Sequence, residues 1–353
     1  MINLSRLPFV FLAFICLLTG LWTGLSRIGW DIFILLATAH HGAIMVGGFL
    51  GTLISLEKII PLKKKLLFII PVLSAFSVLF FILSQPSIST VLLILASAGL
   101  ILVFLYYLRF ERSLIYGLML GGAINWFIGN VLLLTKNFYP LAFPWWVGFI
   151  LFIITAERLE LMKFLPVSQF KKKLFTGLHL AFMIGVIISF HGIGNIVCGI
   201  ALIGISTWLM RNDLIGITIK KNNLTQFVAI SLLAGYIALL LTGILFITFS
   251  NQWLAYDAIV HTFFIGFVFS MIFAHGPIIL PGVLGINAKP FHKLLYLWLI
   301  LLHSSWLIRI FADAFTEFMW RKASGIISAV SILAYFVSLA FLTIRSHRHG
   351  KVH

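Results

Sequence analysis

Histidines inside apolar runs are the residues of this sequence whose type and position could do chemistry. His40 and His41 are adjacent in one run, His261 lies in a second and His303 in a third. Each lies eight to ten residues from one end of its run, or roughly 12 to 15 Å along a helix that rises about 1.5 Å per residue. The sequence therefore predicts a layer of imidazoles at one depth, contributed by three helices.

An imidazole layer of this kind favours metal or haem ligation. Imidazole is a neutral ligand for haem iron or copper, and it can serve as an axial ligand of haem. The alternative is that each histidine only forms a hydrogen bond between helices. Adjacent histidines are about 100° apart around a helix, so His40 and His41 cannot both face the same partner. The spacing alone leaves ligation and structural bonding open.

Arg309 is the one cation inside the core of an apolar run. It could extend towards the surface, or pair with Asp313 four residues later. It could instead bind an anionic group such as a haem propionate, since it lies between His303 and the nearer end of the run. These interpretations also stay open.

The composition dictates which elements hold these residues. The chain has 353 residues, of which 61% are hydrophobic and 10% charged, whereas a soluble domain carries about 25% charged residues. Such a chain is typical of a polytopic membrane protein. Cys16 and Cys198 lie in apolar runs outside any CxxC pattern, so they predict no disulfide, zinc site or covalent haem.

Apolar runs of near-spanning length predict an all-α bundle of about twelve transmembrane helices. No connection is long enough for a soluble module, so we expect residues 1–353 to form a single integral membrane domain. The runs fall at 5–25, 31–56, 66–84, 89–108, 113–135, 141–161, 173–191, 193–210, 224–249, 253–280, 290–312 and 322–344.

The net charge of +16 fits this topology and does not require a nucleic-acid partner. With the N-terminus inside, 20 of the 25 Lys and Arg fall in inner loops and 4 in outer loops, and the remaining one is Arg309. Positive charge collects on the cytoplasmic side. We therefore expect both termini in the cytoplasm, the histidine layer in the outer half of the bilayer, and a location in the plasma (inner) membrane.

The tenth and second spans carry motifs of a known family. The tenth reads His261-Thr-Phe-Phe-Ile-Gly266, with Met271 ten residues after the histidine, and the second reads His40-His41-Gly-Ala-Ile-Met45-Val-Gly-Gly-Phe49. Together with Leu-Ile-Arg309 in the eleventh span, these motifs resemble the NnrS family, whose members are haem- and copper-containing membrane proteins tied to nitric oxide stress. The chain is more distantly similar to haem-copper oxidase subunit I.

The resemblance implies a haem-binding protein of redox or nitric oxide metabolism. It implies haem b, with copper as a second metal. Because the histidine layer is expected in the outer half of the bilayer, we also expect a redox partner at the outer face. The expected axial ligands are His261 with one of His40 or His41, while Arg309 steadies a propionate. His303 is expected to be an alternative axial partner or the ligand of a second metal.

Two other classes of function remain open. One is a transporter of a small solute, a metal ion or haem itself, with a discontinuous helix at Pro277 and Pro281. The nine acidic residues lie near span ends, and the lack of a central carboxylate argues against proton or sodium coupling. The other class is an assembly subunit in which the histidines are only structural.

Overall fold

The computed structural model describes residues 6–33, 36–163, 165–189, 192–248 and 254–349, with side chains given up to residue 346. These residues form helices and connections, and no strand occurs among them. The prediction of an all-α polytopic bundle is confirmed. Eleven helices in the described ranges are long and apolar enough to cross a membrane, so the chain is a multi-pass membrane protein.

The chain divides into two compact units, Ile2–Leu161 and Met162–His353. We call them the N-terminal unit and the C-terminal unit. That residues 1–353 form a single integral membrane domain stays a prediction. Among the described residues, the N-terminal unit contains six long helices: α1 (Leu7–Arg27), α2 (Leu36–Leu62), α3 (Lys65–Ile82), α4 (Pro86–Phe110), α5 (Leu114–Lys136) and α6 (Tyr139–Leu161).

The C-terminal unit also contains six long helices. Of these, α7 is the one that does not count among the eleven spans, and the boundary predicted at His191 lies outside the described residues. The helices are α7 (Gln169–Ser189), α8 (Ile193–Asn212), α9 (Asn223–Thr248), α10 (Ala255–Val283), α11 (Leu294–Ala314) and α12 (Phe318–His349).

Small residues on α5 allow close packing against α6, as helix association in membranes favours. A Cβ at Gly121 would lie 3.1 Å from Phe152, and one at Gly129 would lie 2.7 Å from Trp146. Asn125, on the same face, is buried and its side-chain oxygen faces Gly148. The stripe therefore lets the two helices approach closely within the N-terminal unit.

The discontinuous helix considered for a transporter at Pro277 and Pro281 is not found, because α10 continues through both prolines to Val283. A proline lacks the N–H that would bond the carbonyl four residues earlier, so Pro277 leaves the carbonyl of Phe273 unpaired. The buried Tyr335 of α12 donates its hydroxyl to this carbonyl over 2.7 Å. A neighbouring helix thus replaces the lost bond, which is how transmembrane helices tolerate proline.

Candidate functional site

Two of the predicted histidine helices depart from α geometry close to the histidine. In α2, a 3-10 segment ends at His40, and a π-helical segment begins three residues after His41 and runs over Ile44–Gly51. In α10, the α-helical part ends at His261 and a π-helical segment follows directly over Thr262–Val268. Short π-helical segments are rare and occur frequently at functional sites. Within the described residues, these are the two π segments.

Hydroxyl groups stabilise both π segments through glycine carbonyls. Ser74 of α3 donates to the carbonyl of Gly47 over 2.7 Å. Ser270 donates to the carbonyl of Gly266 over 2.6 Å. Glycine has no side chain that would shield its carbonyl from a neighbouring hydroxyl. In both cases the donor belongs to the same unit as the π segment.

In the N-terminal unit, His40 and His41 contact different neighbours, as their 100° offset requires. The His40 ring stacks on Phe81 with centroids 4.7 Å apart, and its Nδ1 atom lies 2.8 Å from the hydroxyl of Tyr139. The His41 Nδ1 atom lies 2.8 Å from the carbonyl of Gly20. A Cβ at Gly24 would lie 2.8 Å from the His41 ring, so His41 is wedged against α1.

In the C-terminal unit, His261 presents one ring nitrogen to its own helix. Nδ1 lies 2.8 Å from the backbone carbonyl of Asp257 and 3.4 Å from its Oδ1 atom. A carbonyl oxygen can only accept, so the ring proton lies on Nδ1. Within the described part of the chain, Nε2 makes no hydrogen bond. This arrangement leaves Nε2 with a lone pair, as a metal ligand needs.

Asp257 also joins His261 to a cluster of two arginines and two aspartates from α10, α11 and α12. Arg309 donates from Nε to Asp257 Oδ2 over 2.6 Å, and Arg321 Nη2 lies 3.1 Å from Asp257 Oδ1. Arg321 Nε lies 3.0 Å from Asp313 Oδ1, and Arg309 Nε lies 3.7 Å from Asp313 Oδ2. The two carboxylates therefore share both guanidinium groups, and the formal charges of these four residues cancel.

This charge cluster is largely removed from solvent. Arg309 is 4% exposed and Asp313 is 3% exposed. Arg309 also donates from Nη1 to the carbonyl of Arg321 over 3.2 Å and to Ser324 over 3.4 Å. Buried ionisable groups in a membrane segment are costly unless they are paired, and every charge in this cluster has an opposite charge within 4 Å.

His303 has both ring nitrogens engaged. Trp306 donates its indole N–H to Nδ1 over 3.0 Å, and Nε2 lies 2.9 Å from the hydroxyl of Ser270. Ser270 belongs to α10, so this bond links His303 to the helix of His261. Ligation of a metal by His303 would therefore require the loss of one of these bonds.

The structure brings three of the predicted site residues into one network within the C-terminal unit: His261, His303 and Arg309. His40 and His41 lie side by side on α2 of the N-terminal unit. The sequence interpretation missed Asp257 and Tyr139 as partners of histidines. The Asp257-x-x-x-His261 spacing was the available signal for the first, since residues four apart share a helix face. No sequence signal indicates Tyr139, because its contact spans 99 residues.

Groups of three or more His, Cys, Asp and Glu that could hold a metal ion are absent from the described residues. Cys16 and Cys198 are both buried and free. Copper as a second metal therefore stays a prediction from the resemblance alone.

Comparison with known proteins places the chain by family. No curated protein matches the sequence. A family model described as a domain of unknown function (DUF8744) matches residues 6–344, which include every histidine of the candidate site. The chain therefore belongs to the DUF8744 family.

Proposed function

We propose that this protein is a haem-binding integral membrane protein in which His261 is an axial ligand. The observation that carries the proposal is the state of the His261 ring. Its proton is on Nδ1, bonded to the Asp257 carbonyl, while Nε2 makes no hydrogen bond within the described residues. The start of a π segment at the next residue supports a functional role for this position.

The other predicted residues fit this function to different degrees. The Nδ1 atom of His40 has a hydroxyl partner in Tyr139, as metal-ligating histidines commonly have an outer partner. Arg309 already contacts Asp257, so a propionate would have to share this guanidinium. That His40 or His41 supplies the second axial ligand stays a prediction.

A bound haem would supply one-electron transfer. The chain's own residues would hold the ring of His261, neutralise charge near it and exclude water with apolar side chains such as Phe263 and Phe267, which are fully buried. A role in redox or nitric oxide metabolism rests on the resemblance to the NnrS family, and a redox partner at the outer face rests on the predicted depth of His261. Haem b as the haem type also rests on the resemblance.

Optical spectroscopy of the purified protein tests the proposal. We expect a Soret band and the visible bands of a low-spin haem, with iron found by elemental analysis. A protein that carries neither haem nor iron, even after haem is added, would contradict the proposal. Copper is measured in the same elemental analysis.

The topology is part of the proposal and has its own test. We place both termini in the cytoplasm and the protein in the plasma membrane, because this orientation puts 20 of the 25 Lys and Arg in the predicted inner loops. Single cysteines introduced at Lys64 and at Lys136 should react differently with a membrane-impermeant reagent in intact cells. Only the cysteine at position 136 is expected to react.

A second candidate function is transport of a small solute, a metal ion or haem. The observation that favours it is the division of the chain into two units, each with six long helices among the described residues, eleven of which are long and apolar enough to cross a membrane. Major-facilitator-type transporters are likewise built from two halves of six helices. Uptake of the solute, metal ion or haem into proteoliposomes distinguishes a transporter from a haem protein that does not transport. Accumulation of a metal ion or haem against buffer controls would favour transport.

A further inference from the structure

Asp257 makes an unusual number of contacts for one acidic residue near the start of a span. Its backbone carbonyl lies 2.8 Å from His261 Nδ1, and its Oδ1 atom lies 3.4 Å from the same nitrogen. One residue thus offers two oxygen acceptors to one imidazole N–H. Both oxygens favour the tautomer that carries its proton on Nδ1.

The Asp257 carboxylate is itself held in place from two other helices. Arg309 of α11 contacts Oδ2 at 2.6 Å, and Arg321 of α12 contacts Oδ1 at 3.1 Å. The Arg309 side chain is fixed in turn by bonds to the Arg321 carbonyl and to Ser324. Because both arginines bind the Asp257 carboxylate, it has little freedom to rotate away from the imidazole.

We propose that Asp257 is a positioning residue for His261: it fixes the ring orientation and holds the proton on Nδ1, so that Nε2 remains an unprotonated donor atom. Arg309 and Arg321 act on His261 through Asp257. Neither arginine forms a hydrogen bond or an ion pair with His261 in the described part of the chain. Every other histidine with a resolved i−4 carbonyl bond, such as His275, lacks a neighbouring carboxylate four residues earlier.

The consequence for a metal bound at Nε2 rests on the proposed function. When a histidine binds a metal through one ring nitrogen, a carboxylate beside the N–H of the other ring nitrogen increases the basicity of the ligand. More basic ligands stabilise the ferric form of haem. Asp257 would therefore lower the reduction potential of a haem held by His261.

The alternative is that Asp257 only closes an ion cluster between helices. Asp313 provides the matched comparison, since it contacts the same two arginines but makes no contact with His261. Asp257→Asn and Asp313→Asn each replace one carboxyl group of the same cluster with an amide. A difference between these two variants at the imidazole isolates the positioning role.

The tautomer is measured by nitrogen-15 NMR on protein labelled at histidine and prepared without haem. The His261 signals are assigned by their loss in His261→Gln. We expect the Nδ1-protonated form to dominate in the unaltered protein. In Asp257→Asn its ratio to the Nε2-protonated form should fall about tenfold, because the imidazole N–H loses the charged oxygen 3.4 Å away and keeps only the backbone carbonyl as acceptor. Asp313→Asn should leave the ratio unchanged.

Three results would overturn this inference: an Nε2-protonated His261 in the unaltered protein, an unchanged ratio in Asp257→Asn, or an equal fall in both variants. Should Asp257→Asn not fold, Arg321→Gln removes the 3.1 Å contact with Oδ1 and leaves Asp257 in place. It is expected to lower the same ratio, and an unchanged ratio there would count against the inference.

A second measurement uses the haem-loaded protein. Asp257→Asn should raise the midpoint potential more than Asp313→Asn, by about 59 mV for a tenfold change in a one-electron equilibrium. Equal potentials in the two variants would overturn the positioning role. If the protein binds no haem, the proposed function fails, while the NMR ratio still decides the role of Asp257.

Discussion

Trp306 donates its indole N–H to Nδ1 of His303 over 3.0 Å, and this bond places the proton of the imidazole on Nε2. An indole N–H is a donor only, so Nδ1 must accept. Nε2 then donates to the hydroxyl of Ser270, which in turn donates its own hydrogen bond to the carbonyl of Gly266. His303 is thus a neutral, fully bonded residue that supports the π segment of α10.

We expect His303→Leu to destabilise the protein without removing haem. The variant leaves the buried N–H of Trp306 without an acceptor, which costs about 1 to 3 kcal/mol. Thermal unfolding in detergent measures the loss, and the Soret band reports haem. The double variant His303→Leu with Trp306→Phe should recover part of the stability, because it removes both polar groups. Loss of the haem spectrum in His303→Leu would indicate that His303 is a ligand.

His261→Ala should abolish the low-spin haem spectrum. Neighbouring residues cannot replace its Nε2, since the flanking side chains are Val260 and Thr262, neither of which ligates iron well. His275 is the matched control, because it lies on the same helix, bonds the carbonyl four residues earlier, and is roughly 20 Å further along. His275→Ala should keep the spectrum. A Soret band of full intensity in His261→Ala would remove His261 from the site.

Single replacements of His40 and His41 should have unequal effects. His41 is wedged against Gly20 and Gly24 of α1, so His41→Ala should mainly lower stability. His40 has a hydroxyl partner on one ring nitrogen and is expected to affect haem binding more. Tyr139→Phe then tests the partner: loss of an outer-shell bond to a ligand lowers affinity by about 10- to 100-fold. An unchanged haem affinity in Tyr139→Phe would argue against His40.

The sequence predicts the helices better than it predicts their contacts. The apolar runs locate α2, α10 and α11, because length and hydropathy decide whether a segment spans a bilayer. The Arg309 and Asp313 contact follows from a spacing of four residues. The bond from Arg309 to Asp257 does not, since 52 residues separate the two and only helix packing brings them together.

The π segments show a second limit of the sequence. An apolar run has the same composition whether its backbone bonds reach four or five residues, so the sequence did not distinguish the π segments of α2 and α10 from α-helix. Likewise, Pro277 alone indicates a break in the helix. The helix continues because the hydroxyl of Tyr335, which is 62 residues away in the sequence, donates to the carbonyl of Phe273. In each case a partner on another helix decides the local backbone.

Arg309→Gln should be among the most destabilising single changes in the C-terminal unit. The side chain is 4% exposed and its loss leaves the carboxylates of Asp257 and Asp313 with one guanidinium between them. Removing one partner of a buried ion pair costs about 3 to 5 kcal/mol. Arg345→Gln, an exposed change on α12, is the control and should stay within about 0.5 kcal/mol.

A double-mutant cycle with Arg309→Gln and Asp257→Asn measures the direct coupling of the pair. Because the two side chains are joined by a 2.6 Å bond, the double variant should be more stable than the sum of the single losses predicts, with a coupling energy of about 0.5 to 3 kcal/mol. Arg309→Lys should not restore the full stability. A guanidinium group contacts Asp257, Asp313 and the Arg321 carbonyl with donors spread over a planar fork, whereas the ammonium group of lysine is a compact charge that cannot reach all three. Additive losses in the cycle would show that the 2.6 Å bond contributes little to folding, and that the cluster is held by the packing of α10, α11 and α12 instead.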